Sequence, residues 1–348
     1  MFSGRHRRAR PRSPQRGFTL VELLVVMVII GLLMAMLLTA VQRVRENARV
    51  TSCANNLKQI ALAVASYEAR HGYYPPSMKR CVADSNGRIN GWSIQALLLP
   101  YVEQNQIFSQ INFDRSLREA GQVQMADGKM MNLAALRVPT YLCPSERRDE
   151  PRLDKNGVPT NWPINYGVNL GVWFVYDPAT DKGGEGAFYP FSKITAAEVS
   201  DGLSFTLCAA EVKGYNPHYR NADRTGDLPL PVPADIGEFG GSFYTTGHTE
   251  WVEGRAVQIG FTTTFAPNTK VLCNVDDVTY DVDWSNHMEG TSTTVPTYAA
   301  VTARSYHRDG INAAMLDGSV RWFGNDINLN VWRAFSTRRG DEIIPPKY

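Results

Sequence analysis

Residues 23–41 carry no charged side chain, and an uninterrupted apolar run of roughly 19 residues is long enough to cross the hydrocarbon core of a bilayer. Just before it, in Phe18-Thr19-Leu20-Val21-Glu22-Leu23-Leu24, stands a single carboxylate, Glu22. A charge at membrane depth costs about 2.5–3.5 kcal/mol, so one that persists there has a polar task. The pairing predicts a membrane helix with such a task, and it constrains everything downstream. A cleaved secretory signal would need a shorter apolar core and small residues before its cut; Val41-Gln42-Arg43 offers no such site.

Charge gives the expected orientation. Arg5, Arg7, Arg8, Arg10, Arg12 and Arg16 crowd the first seventeen residues without an acid, so this leader is expected to stay cytoplasmic, with the C-terminal bulk on the far side of the inner membrane. Arg43, Arg45 and Arg49 weaken the contrast and Glu46 offsets one of them. A net charge of +2 over 348 residues gives no reason to expect nucleic-acid binding.

The helical pattern outlasts the apolar run. Val44 and Ala48, and further on Leu57, Ile60 or Ala61, Val64 and Tyr67, are spaced by three and four with polar residues between them, which turns an all-round apolar helix into a one-faced one. His71-Gly72-Tyr73-Tyr74-Pro75-Pro76 supplies the stop. A helix from Phe18 to Arg70 would be about 80 Å long.

Beyond Pro76, glycines, prolines, aromatics and short apolar runs predict a helix within residues 92–111 and strands at 164–176, 203–212, 242–252, 256–265 and 278–284. The Pro-, Gly- and Asp-rich stretch 213–240 reads as an excursion. Asp317-Gly318 between two alternating runs predicts a hairpin with a type I′ turn. The fold class is therefore α+β: a long N-terminal helix, membrane-spanning in its first half and amphipathic in its second, packed on an antiparallel β-sheet domain. The expected divisions are a leader (1–17), a transmembrane half (18–41), an amphipathic half with its exit loop (42–76) and an extracytoplasmic domain (77–348) with a variable insertion at about 213–300.

The five cysteines, Cys53, Cys81, Cys143, Cys208 and Cys273, include no C-x-x-C spacing, which argues against a zinc ribbon or a thioredoxin-like centre. An extracytoplasmic domain permits disulfides, and an odd count leaves at least one thiol free or intermolecular. Cys53 and Cys143 are the favoured pair; Cys208 reads as a buried strand residue.

Were the chain cut between Gly17 and Phe18, the new ammonium would sit one turn from Glu22 at the edge of low dielectric, where opposite charges attract strongly. Glu22 could neutralise its own terminus or that of a neighbouring copy, and the second would favour side-by-side assembly in a fixed register. A plain signal anchor, with Glu22 among the head groups, is the simpler alternative.

The stretch from Arg16 to Ile30, RGFTLVELLVVMVII, resembles the processing site of type IV prepilins and type II secretion pseudopilins. The resemblance implies cleavage after Gly17 by a membrane prepilin peptidase, N-methylation of Phe18 by the same enzyme, and Glu22 as the assembly carboxylate. Cys53-Ala54-Asn55-Asn56-Leu57-Lys58-Gln59-Ile60, Tyr74-Pro75-Pro76, Leu98-Leu99-Pro100-Tyr101-Val102-Glu103-Gln104, Leu142-Cys143-Pro144-Ser145, Val199-Ser200-Asp201-Gly202-Leu203-Ser204 and His307 followed after nine residues by Asp317-Gly318-Ser319-Val320 extend it. These stretches are similar to a large bacterial family of prepilin-like proteins under a domain-of-unknown-function label, also called PulG-type transporters. Ser200 stands where that family commonly has threonine. The resemblance implies a pilin-like architecture and says little of activity.

His307, Asp317 and Gly318 are read as structural, with metal ligation the alternative for the first two. Asp276, Asp277, Asp281 and Asp283 are read as a solvated turn rather than a calcium site. The sequence contains no G-x-S-x-G, H-E-x-x-H or P-loop motif, so no catalytic residue, cofactor or metal is assigned. The expected function is a non-enzymatic, membrane-anchored pseudopilin-type subunit. Its expected partners are the prepilin peptidase/methyltransferase, other pilin-like subunits or itself, and the membrane, with no nucleic acid. A monomeric membrane-tethered solute- or polymer-binding protein, its pocket lined by aromatics from 213–300, is the alternative; a tethered hydrolase comes third.

Overall fold

The computed structural model describes residues 19–85, 87–125, 127–222 and 224–344. The arginine-rich leader, Gly17 and Phe18 lie outside the described residues. The organisation is α+β: a helix α1, Leu20–His71, precedes a sheet-rich domain. The chain divides after Asn47 into two compact units.

In the first unit every side chain from Leu20 through Leu38 is exposed. The helix is long and apolar enough there to cross a membrane.

The second unit begins at Ala48, inside α1. Cys53, Leu57, Ile60, Val64 and Tyr67 are buried at alternating spacings of four and three and join the main core with Trp92, Leu98, Tyr141, Tyr166 and Trp251. That spacing keeps one stripe of a 3.6-residue helix facing inward. Gly72, at φ +78°, ends the helix in a conformation that costs glycine little.

Among the described residues, two sheets dominate the rest, beside four two-stranded ones and short helices. A five-stranded sheet runs in the order 260–261, 166–169, 207–211, 310–315, 320–324, and a six-stranded sheet in the order 242–247, 216–220, 283–285, 297–300, 174–177, 182–183. The sheets are mixed rather than wholly antiparallel, since 260–261 runs parallel to 166–169 and 216–220 parallel to 283–285.

Several expectations need correction. Residues 164–176 form two strands in different sheets. Residues 256–265 begin as a helical turn, Ala256–Ile259, with only Gly260 and Phe261 in a strand. The excursion 213–240 contributes Asn216–Arg220 to the six-stranded sheet, and its Pro217 sits where the register with the neighbouring strand shifts, a place where a missing N–H does no harm.

The hairpin 310–315/320–324 forms around Asp317-Gly318, but only Gly318 takes a positive φ, +84°. Met315 N–H donates to Ser319 C=O and Gly318 N–H to Met315 C=O, a three-residue loop with glycine in the left-handed position rather than a type I′ turn. The two-residue turn with both φ positive lies at Asp276 (48°) and Asp277 (63°), between strands 272–275 and 278–281.

Candidate functional site

At the start of α1, Thr19 N–H and Thr19 Oγ1 donate to Glu22 Oε2 at 2.9 and 2.8 Å, and Glu22 N–H donates back to Thr19 Oγ1 at 3.2 Å. This reciprocal arrangement is a capping box. It satisfies backbone donors that have no intrahelical partner and gives Glu22 a role within its own chain beyond the one read from the sequence. The T-x-x-E spacing was its legible sign. Glu22 still has acceptor capacity, because a carboxylate offers about four lone-pair sites over two oxygens.

In the second unit, four segments far apart in sequence meet at one buried point. Cys53 of α1 and Cys143 of the loop after Tyr141 are joined by a disulfide, with 5.0 Å between Cα atoms. His307 Nε2 lies 3.7 Å from Cys143 Sγ and 3.1 Å from Glu211 Oε1. Both carboxylate oxygens of Glu211 are held, Oε2 by Asn312 N–H at 2.7 Å and Oε1 by the Asn312 amide at 3.1 Å. The side chains of His307 and Glu211 are 0% and 2% exposed. Sulfur, imidazole and carboxylate atoms of Cys53, Cys143, His307 and Glu211 all fall within 4.8 Å of one another.

Neighbouring contacts fix this point. Asn56, one turn along α1 from Cys53, donates through Nδ2 to Leu142 C=O at 2.8 Å, and Cys143 N–H donates to Asn165 Oδ1 at 2.9 Å. Asn165 in turn donates to Glu146 and, at 3.3 Å, to Val212 C=O. The guanidinium of Arg147 and the ammonium of Lys213 face the ring of Tyr306 at 4.8 and 4.7 Å. Burial holds Lys213 down to about 8 and pushes Tyr306 up to about 12, with the Glu146 charge adding to the latter.

His307 thus gathers with the cysteines, whereas Asp317 does not. The six-residue strand Gly310–Met315 separates them, about 20 Å of extended chain. Asp317 instead caps its own turn, accepting from Ser319 N–H at 2.8 Å and Ser319 Oγ at 2.6 Å. Glu211 and Asn312 were missed. Glu211 directly follows the apolar run Leu207-Cys208-Ala209-Ala210, and an acid ending a buried strand is the same kind of signal as Glu22. Cys208 is fully buried in that strand, where burial pushes its thiol up to about 12.

Of the four aspartates read as a solvated turn, only Asp276 and Asp277 make one. Asp281 and Asp283 hold the buried guanidinium of Arg304, whose Nη2 lies 3.0 Å from Asp281 Oδ1 and whose Nη1 donates to Asp283. Burial raises both carboxyls and is the largest influence on each; in Asp281 the charge of Arg304 and hydrogen bonds from Val271 N–H, Lys270 and Arg304 together outweigh it and the group ends below its ordinary value, while in fully enclosed Asp283 burial prevails. Of the large aromatics of 213–300, Trp251, Phe261 and Trp284 are spent on packing: they are at most 1% exposed, and Trp284 stacks on Trp173 at 5.5 Å.

Comparison with known proteins adds the family. The family described as "Protein of unknown function (DUF1559)" matches residues 42–330, and the prokaryotic N-terminal methylation motif matches residues 12–38. Among curated proteins, the type II secretion system core protein G of Pseudomonas aeruginosa is 37% identical over 68 residues, 20% of this chain and 48% of that protein. The type IV major pilin protein PilE1 of Neisseria gonorrhoeae is 34% identical over 83 residues, 24% of this chain and 39% of that one. The chain thus spans less than half the length of either relative. No solved structure gives a significant match. The chain belongs to the DUF1559 family and carries at its N-terminus the methylation motif of prepilin-like proteins.

Proposed function

We propose that the chain is a pseudopilin-type subunit, cut after Gly17 by a membrane prepilin peptidase, N-methylated at Phe18, and assembled beside copies of itself or other pilin-like subunits. The observation that carries the reading is the match of the methylation motif to residues 12–38, a segment whose only acid is Glu22. The likeness of the N-terminus to a type II secretion core protein and a type IV major pilin supports a secretion- or transport-associated assembly. In this reading residues 18–41 hold the chain in the inner membrane, the leader faces the cytoplasm, and the domain from residue 77 onward is extracytoplasmic and selects partners. The role is structural rather than enzymatic.

The chemistry follows from the low dielectric at the membrane edge. There an ammonium on Phe18 of one subunit and the Glu22 carboxylate of the next attract far more strongly than in water, and helices in lipid associate through such polar contacts and packing. Intact mass and N-terminal peptide mapping of protein from its native membrane test the first step. A chain beginning at methylated Phe18 is expected; one that keeps Met1 in cells with an active prepilin peptidase overturns the reading.

A further inference from the structure

We propose that Cys53, Cys143, His307 and Glu211 form a zinc site when the Cys53–Cys143 bond is reduced, so that one buried cluster closes α1 onto its domain in two alternative ways. The four residues are a thiolate–thiolate–imidazole–carboxylate set, and zinc takes four ligands of these types in a tetrahedron. With bonds of roughly 2.0–2.3 Å, the edges of such a tetrahedron are about 3.3–3.8 Å. The observed separations are 3.7 Å from Cys143 Sγ to His307 Nε2 and 3.1 Å from His307 Nε2 to Glu211 Oε1. All four ligand atoms lie within 4.8 Å of one another and all four residues are buried.

Two features aim the cluster at a metal rather than at packing alone. Asn312 grips Glu211 through both its backbone and side-chain nitrogens, the outer support that orients a ligating carboxylate. Ser145 N–H points at Cys143 Sγ at 3.5 Å, a donor that favours a thiolate. These contacts also offset the charge of two thiolates and a carboxylate around one dication.

The exchange balances. A dithiol reductant gives two electrons and two protons to the Sγ–Sγ bond, yielding two thiols and its own disulfide. Zinc then displaces one proton from each thiol, and His307 binds through Nε2 with its proton on Nδ1. A disulfide oxidant takes the two electrons from the thiolates and two protons from solvent, leaving as its own dithiol; the Sγ–Sγ bond re-forms and the metal is released.

The test uses the full chain in detergent, reduced anaerobically with a phosphine that does not compete for zinc, then given zinc or cobalt(II) and desalted. The reduced chain is expected to keep about one zinc, and its cobalt form to show thiolate-to-cobalt charge transfer and tetrahedral absorption. The oxidised chain and the Cys53→Ser/Cys143→Ser variant are expected to show neither. Glu211→Gln and His307→Asn, each reduced, should bind zinc at least about tenfold more weakly. A reduced, folded chain that keeps no more metal than the double serine variant overturns the proposal. So does a reduced chain that loses its near-ultraviolet circular dichroism in the presence of zinc.

Discussion

His307 Nε2 meets Glu211 Oε1 at 3.1 Å in a region closed to water. The strand Leu207–Glu211 supplies the acid, and the loop leading into Gly310–Met315 supplies the imidazole. Because Asn312 directs both its backbone N–H and its side-chain amide at the same carboxylate, removing Glu211 leaves these buried donors and the His307 ring without their partner. Glu211→Ala is expected to cost about 3–5 kcal/mol. Glu211→Gln, which keeps one oxygen, should cost about 1–2 kcal/mol. Urea unfolding followed by tryptophan fluorescence reads both; equal losses would show that volume, not the hydrogen bonds, is what Glu211 provides.

The disulfide acts on the unfolded chain. It closes a loop of 90 residues between α1 and the segment after Tyr141, and the chain-entropy relation gives about 4–5 kcal/mol for a loop of that length. Reduction with a chelator present, or Cys53→Ser/Cys143→Ser, should lower the stability of the domain by up to that amount. The isolated α1 segment from Leu20 to Leu38, which makes no use of the bond, should keep its helicity. Unfolding midpoints with and without reductant check this; no shift would mean that the reduced unfolded state is already restrained.

What could be read from the sequence was what local chemistry decides. The seam Leu57, Ile60, Val64, Tyr67 follows helical periodicity, and Gly72 with two prolines behind it stops the helix whatever lies around it. Ala256–Ile259 could not be read the same way. Its neighbours Val257, Ile259, Phe261 and Thr262 favour a strand, yet Ala256 N–H is taken by the Glu289 carboxylate at 3.1 Å, and Gln258 Oε1 accepts from Thr249 and Glu250 N–H at 3.0 and 3.1 Å. Partners that distant leave no local trace. Asn216–Arg220 was hidden by Pro217, which looks like a breaker until the register shift beside it is known. In the buried cluster the two cysteines and His307 stood out by residue type, whereas Glu211 and Asn312 owe their role to strand pairing alone.

Glu289 gives the domain a pH dependence of opposite sign to ordinary acid loss. Burial holds its carboxyl up to about 7, above the usual 4.5, and the side chain accepts from Ala256 N–H. Between those values the folded chain keeps a proton that the unfolded chain has released, so this group's contribution falls as pH rises from about 4.5 to 7 and is level outside that window. The size is on the order of 3 kcal/mol. His218 and His248, which burial holds down to about 4, tilt the curve the other way between about 4 and 6.5. The readout is therefore the difference between wild type and Glu289→Gln, which keeps an oxygen for Ala256. That difference should favour the variant increasingly up to about pH 7; a flat difference would mean that Glu289 is ionised throughout.

Glu22 has two candidate partners, and they can be separated. Within its own chain it caps α1 together with Thr19; between chains it is proposed to meet the Phe18 ammonium. Thr19→Val removes the side chain that receives Glu22 N–H and costs about 1 kcal/mol of capping, but leaves the carboxylate charge in place. Glu22→Gln keeps an oxygen for the cap and removes the charge. If capping is what matters, Thr19→Val should impair assembly more than Glu22→Gln. If the charge pair matters, cross-linked multimers should survive Thr19→Val and disappear in Glu22→Gln, with both variants still in the membrane fraction. The second outcome is expected, because a neutral amide at the edge of lipid gains no Coulombic attraction from a neighbouring ammonium, whereas a long apolar helix tolerates a frayed first turn.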